Sequence, residues 1–149
     1  MPLTTFPNPN LDKRYFAPNK YGVPDDIYKA IVRTVELSGL SAIQLTDEAD
    51  ISTDASLGVN YYVTLEGNRN MAAPTNPQDW KLIRYYIVQD VVGTRTITWD
   101  AAFRFSTDIP SPTLTVTGYF SDYIEFVYNP TYSTWDCIRV VKGFDSTPL

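Results

Sequence analysis

Glu36, Asp47, Glu48, Asp50, Asp54 and Glu66 all lie between Thr34 and Asn68, a stretch without a single Lys or Arg. These carboxylates come nearest, by type and spacing, to residues that could do chemistry. Two of them held near each other could serve glycoside hydrolysis, one as acid and one as base or nucleophile. The densest run, Asp47–Asp54 (DEADISTD), could also offer oxygens to Ca²⁺, but it lacks a spaced loop with a central glycine and a terminal glutamate. The plainer reading is a solvated acidic loop.

Other chemistry is excluded by composition. The chain has no histidine, so neither imidazole general-base catalysis nor histidine metal ligation is available. Its one cysteine, Cys137, cannot form an intrachain disulfide or a thiolate zinc site. Within TWDCIRVV it reads as a small buried apolar residue, with a reactive thiol as the alternative. No glycine-rich phosphate loop occurs. With the acidic run read as a solvated loop, the expected sets of catalytic residues, metal ligands and cofactors are empty.

The aromatic residues invite a different function. Tyr61, Tyr62, Tyr85, Tyr86, Tyr119, Tyr123, Tyr128 and Tyr132 are candidates for stacking on sugar rings. Sheet cores and oligomer interfaces use the same residue type, so each is equally a packing candidate. Tyr119 and Phe120, beside Gly118 in a turn-like passage, are expected to be exposed and to form an oligomer contact.

The elements that must position these groups are strands. At 149 residues the chain has the length of one domain, enough to bury about 70% of its unfolded surface. Period-two alternation runs through Ser41–Leu45, Val59–Leu65, Trp80–Asp90, Thr94–Trp99, Thr113–Thr117, Tyr123–Tyr128 and Trp135–Val141. Tyr61, Val63 and Leu65 share one face, with Asn60, Tyr62 and Thr64 on the other. Likewise Leu82, Arg84, Tyr86 and Val88 oppose Lys81, Ile83, Tyr85 and Ile87. Turn residues separate the runs, among them Glu66-Gly67-Asn68, Pro74–Pro77, Val92-Gly93, Ile109–Pro112 and Asn129-Pro130. Gly67-Asn68 and Gly93-Thr94 can reverse the chain, and Gln89 and Asp90 can satisfy backbone groups of the turn that follows. Arg95 can pair with Asp90 or Asp100. Trp99, Phe103, Phe105, Phe126 and Trp135 are bulky enough to fill a core. The pattern predicts an all-β fold, an antiparallel β-sandwich of jelly-roll type, with no evident internal repeat. Residues 25–149 form that domain, with 25–50 leading into it. Asp25 could cap a helix over Asp26–Leu37, but Ile27, Ile31, Val32, Thr34 and Val35 favour a strand.

Residues 1–24 differ from the rest. Pro2, Pro7, Pro9, Pro18 and Pro24 forbid a helix interior or central strand. Leu3, Phe6, Leu11, Tyr15, Phe16 and Tyr21 nevertheless need burial, so the segment reads as an extended arm lying in a groove; a frayed terminus is the alternative. The chain's net charge is −5, whereas Lys13, Arg14 and Lys20 against Asp12 leave the arm mildly basic. That suits an acidic protein surface and argues against nucleic acid, which requires a basic stripe. No apolar run long enough to span a membrane and no secretory leader are evident.

From about Ile51 to Phe144 the chain resembles a β-sandwich module of tailed-phage virion proteins, found in tail fibres and appendages. The resemblance is carried in order by ASLG and VTLEGNRNMAAPTNP within Ala55–Pro77, Gln89-Asp90, and GTRTITW at Gly93–Trp99. It continues through FRF and PSPTLT within Phe103–Thr115, DYIEFVY at Asp122–Tyr128 and WDCIRVVKGF at Trp135–Phe144. It implies a non-enzymatic, often trimeric, structural protein. Fibre chains place a shaft before such a module, whereas here residues 1–50, beginning with the proline-rich arm, precede it. The expectation is a capsid decoration (cement) protein, assembled in the host cytoplasm and located on the virion's capsid exterior. Its partners would be itself, as a homo-trimer, and the major capsid protein, reached through Phe6, Leu11, Arg14, Tyr15, Phe16 and Tyr21. The alternative is a tail-fibre or receptor-binding module that recognises host surface polysaccharide.

Overall fold

Alternation of large apolar and polar residues makes residues 60–65 and 82–89 strands, because one face of each can be buried while the other meets solvent. The computed structural model describes residues 41–149, in which every regular element is a strand. The proposed arm residues, Phe6, Leu11, Arg14, Tyr15, Phe16 and Tyr21, and the segment 25–37 lie outside the described residues.

Nine strands follow in chain order: β1 (Ala42–Gln44), β2 (Asp50–Ile51), β3 (Asn60–Leu65), β4 (Arg69–Met71), β5 (Leu82–Gln89), β6 (Ile97–Trp99), β7 (Phe103–Arg104), β8 (Phe120–Asn129) and β9 (Thr134–Asp145). A six-stranded sheet has the order β1-β3-β5-β8-β9-β7, and a three-stranded sheet the order β2-β4-β6. The first six strands alternate between the sheets and pair in parallel within each. The chain therefore coils: each turn lays one strand in the large sheet, rounds a corner and lays a short strand in the small sheet. Equivalent positions stack from turn to turn, as in Ile43, Tyr61 and Tyr85 on one sheet and Ile51, Met71 and Trp99 on the other. β8 and β9 then extend the large sheet as a long antiparallel hairpin beside β5.

Among the described residues the all-β expectation holds, but the pairing is mixed where uniformly antiparallel strands were expected. Glu66-Gly67-Asn68 joins strands of different sheets, so it turns a corner instead of closing a hairpin. Thr113–Thr117 forms no strand; only Leu114 from it is buried in the core. The acidic run contains β2, with Ile51 and Thr53 buried, so it is not wholly a solvated loop.

The core lies between the sheets. Tyr85, fully buried, is its hub: its ring meets those of Tyr61, Trp99, Phe103 and Phe126 at centroid distances of 6.0, 6.2, 6.3 and 6.0 Å. Its hydroxyl donates to Thr53 Oγ1 at 2.9 Å, which satisfies the polar end of the ring inside the core. Phe105 packs on Trp99 and Phe126, and Trp135 on Tyr128, so the expected aromatic filling is in place. Loops 91–93 and 116–118 cross in close contact. A Cβ on Gly93, whose φ is +71°, would lie 2.3 Å from the Val116 carbonyl oxygen, and one on Gly118 would lie 2.4 Å from that of Val91. Only glycine fits either side of this crossing.

Candidate sheet-face binding site

The outer face of the large sheet carries two side-chain rows that run across the strands. Register sets Gln44 beside Tyr62, Tyr62 beside Tyr86, Tyr86 beside Tyr123, and Tyr123 beside Val141. Two residues along each strand, Ala42, Asn60, Arg84, Glu125 and Arg139 form the second row. Both rows point outward because their alternate neighbours, such as Tyr61, Tyr85 and Ile124, are buried.

The aromatic row is tightly built. The rings of Tyr86 and Tyr123 are 4.6 Å apart and tilted by 32°, and Phe144 meets Tyr123 edge-on at 5.3 Å. The Tyr86 hydroxyl shares a 2.6 Å hydrogen bond with Ser146 Oγ, and the Tyr62 hydroxyl donates to Gln44 Oε1 at 3.1 Å. In the polar row Arg84 Nε donates to Glu125 Oε1 at 2.7 Å and its Nη1 to Asn60 Oδ1 at 3.2 Å. Two shallow depressions lie along these rows. One, of about 460 Å³, is lined by Ala42, Asn60, Tyr62, Arg84, Tyr86 and Tyr123. The other, of about 400 Å³, is lined by Arg84, Tyr123, Glu125, Arg139, Val141 and Phe144. Arg84 and Tyr123 border both, so together they form one trough; its polar row (the floor) and its aromatic row (the wall) run side by side on the same sheet face.

The tyrosines singled out by sequence thus separate. Tyr61 and Tyr85 are core; burial pushes both hydroxyls above the ordinary tyrosine pKa. Tyr62, Tyr86 and Tyr123 line the trough. Tyr128 packs on Trp135, and Tyr132 is exposed with the Arg104 guanidinium 4.5 Å from its ring centre. Tyr119 and Phe120 are half-buried, not exposed. Tyr119 has φ +64°, and its backbone is held by Asp90 and Ser146. Sequence reasoning missed Gln44, Arg84, Glu125, Arg139 and Phe144 as site residues. Strand parity put Arg84 on the Tyr86 face, but assembly of the row depends on a strand order the sequence did not reveal.

Glu36 lies outside the described residues, and Asp47, Asp50 and Asp54 take separate partners. Asp47 takes two hydrogen bonds from Arg69, at 2.8 and 2.7 Å, and these hold its carboxyl below the usual range. Asp50 accepts from Asn70 Nδ2 at 3.0 Å. Asp54 accepts from Ser56 and Asn76, which lower its pKa. Among the described residues no group of three or more His, Cys, Asp or Glu could hold a metal ion. Cys137 is buried, and that burial raises its thiol pKa, as a packing residue requires.

The turn after β5 follows its sequence reading closely. Gln89, buried, accepts from Arg95 N at 2.8 Å and donates to Arg95 O at 2.9 Å, so its amide imitates a strand neighbour. Asp90 accepts from Gly93 N at 2.9 Å and forms an ion pair with Arg95 at 2.6 Å.

No protein-family model, no curated protein and no solved structure matches this chain.

Proposed function

We propose that this chain is a non-enzymatic phage virion structural protein, a capsid decoration protein that binds and stabilises the shell of the major capsid protein as a homo-trimer. What supports a scaffold role is how the charged groups are used. Asp47, Asp90 and Asp136 each pair with an arginine that fixes a turn or a strand pair, at 2.7, 2.6 and 2.6 Å. We read the two sheets as the layers of a sandwich made by coiling, with the resemblance to virion modules supplying the biological setting. Multivalent attachment would let weak contacts add up on the shell. Deleting residues 1–24 is expected to leave a folded oligomer that no longer sediments with capsids. Undiminished capsid binding by that truncation would remove the arm from the proposal. Gel densitometry of purified virions should show decoration-level abundance, well above that of a fibre.

A second reading, a receptor-binding module for host surface polysaccharide, is favoured by the tyrosine row on the large sheet. It predicts that purified protein adsorbs to host cells and competes with infecting phage.

A further inference from the structure

The trough crosses β1, β3, β5, β8 and β9, so neighbouring residues in each row repeat at the strand spacing. Four such steps of about 4.8 Å give an extended ligand a track of about 19 Å. The wall presents three neighbouring tyrosine rings, and the floor presents amide, guanidinium and carboxylate groups in row order. Arg84 is anchored at both ends of its row neighbourhood, by Asn60 and Glu125, so these floor groups are held before any ligand arrives. Arg139, exposed at the far end, makes no ion pair among the described residues. The floor therefore carries Arg84 and Arg139 against Glu125 alone, a local positive excess on a chain of net charge −5.

We propose that this trough binds an extended acidic oligosaccharide, its sugar faces against Tyr62, Tyr86 and Tyr123 and a carboxylate near Arg139. The aromatic wall offers apolar contact to the C–H faces of sugars, and the fixed polar floor can exchange hydrogen bonds with hydroxyls. The uncompensated guanidinium selects the charged sugar over its neutral counterpart. The inference rests on the receptor-binding reading for its biological use, but the chemistry of the trough can be tested without it.

The experiment is calorimetric titration of the full chain with short uronate oligosaccharides and with their neutral counterparts. Uronate probes should bind and neutral ones bind more weakly. Tyr86→Ala and Tyr123→Ala should each weaken binding by about tenfold. Arg139→Gln, a change at an exposed side chain that spares the fold, should weaken the uronate probes selectively and flatten their salt dependence. Equal affinity for neutral and acidic probes, no uronate binding, or unchanged binding by Tyr123→Ala and Arg139→Gln would overturn the proposal. So would self-association that these same substitutions abolish, since a second copy would then be the occupant. Competition with infecting phage separates the two ideas. If the protein competes but the trough variants compete equally well, the site is wrong and the receptor reading survives. If uronates bind through the trough yet no competition occurs, the site stands and the receptor reading fails.

Discussion

Asp122 shows how one residue can hold a loop to a strand bulge. It is buried, and its carboxylate accepts from Thr115 N at 2.7 Å, Thr115 Oγ1 at 2.7 Å and Gly143 N at 2.9 Å. The first two donors belong to the loop before β8 and the third to the bulged part of β9, where Lys142 and Gly143 stand opposite Asp122 alone. Asparagine has the same shape but turns one acceptor into a donor, facing a backbone N–H or a hydroxyl with the wrong group. Asp122→Asn is therefore expected to lower stability by about 2 kcal/mol, read as a shift of the urea midpoint with unchanged slope. A loss under about 0.5 kcal/mol would mean that loop and bulge do not depend on this clasp. In sequence Asp122 is only the first residue of DYIEFVY, with nothing to mark its role. Gln89, Asp90 and Arg95 were legible because their partners lie within six residues. Asp122 to Gly143 spans twenty-one, and no local pattern marks such a contact.

At the scale of elements, alternation identified β3, β5, β8 and β9 and the faces of β3 and β5. What it could not give was partner direction, since period two is common to parallel and antiparallel strands. The turn repeat was hidden as well. From Ile43 to Ile51, Tyr61 to Met71 and Tyr85 to Trp99 the corner lengthens, so equivalent residues never recur at a fixed period. Charge contacts hold these corners and give a pH prediction. Hydrogen bonds from Arg69 lower the pKa of Asp47, and those from Arg95 lower that of Asp90. For Asp136, burial is the largest influence and pushes upward, but Arg104, Asn129 and Thr134 together outweigh it. Each folded-state pKa lies below the ordinary value of 3.8, so the unfolded chain binds protons first as the solution is acidified. Their stabilisation is complete above that value and is lost as pH falls through the folded values. Urea midpoints should be flat from neutrality to about pH 5 and fall below about pH 4. The acid slope should shrink in an Asp47→Asn, Asp90→Asn double variant. An identical slope in that variant would assign acid sensitivity to other groups.

For the whole molecule, the question is whether coil and hairpin are separable. The coil supplies Tyr85 and Trp99 to the core, and the hairpin seals them with Phe126, whose ring lies 6.0 Å from Tyr85 and 5.2 Å from Trp99. β7, the segment that follows the last coil turn, pairs with β9 through Phe103 and Trp135. Neither part encloses its own aromatic groups, so both should unfold in one cooperative transition. The three tryptophans allow a direct check. Trp80 is exposed and can be replaced by Phe, leaving Trp99 in the coil and Trp135 in the hairpin. Removing each of these in turn, by Trp99→Phe or Trp135→Phe, gives a single-tryptophan reporter for the other part. Within each variant, fluorescence and far-ultraviolet circular dichroism should give the same urea midpoint. If Trp135 emission changed before the circular dichroism while Trp99 emission followed it, the hairpin would be an independent unit. The large sheet would then be two cooperative bodies joined along β5 and β8, and the trough that crosses this seam would open before the coil melts.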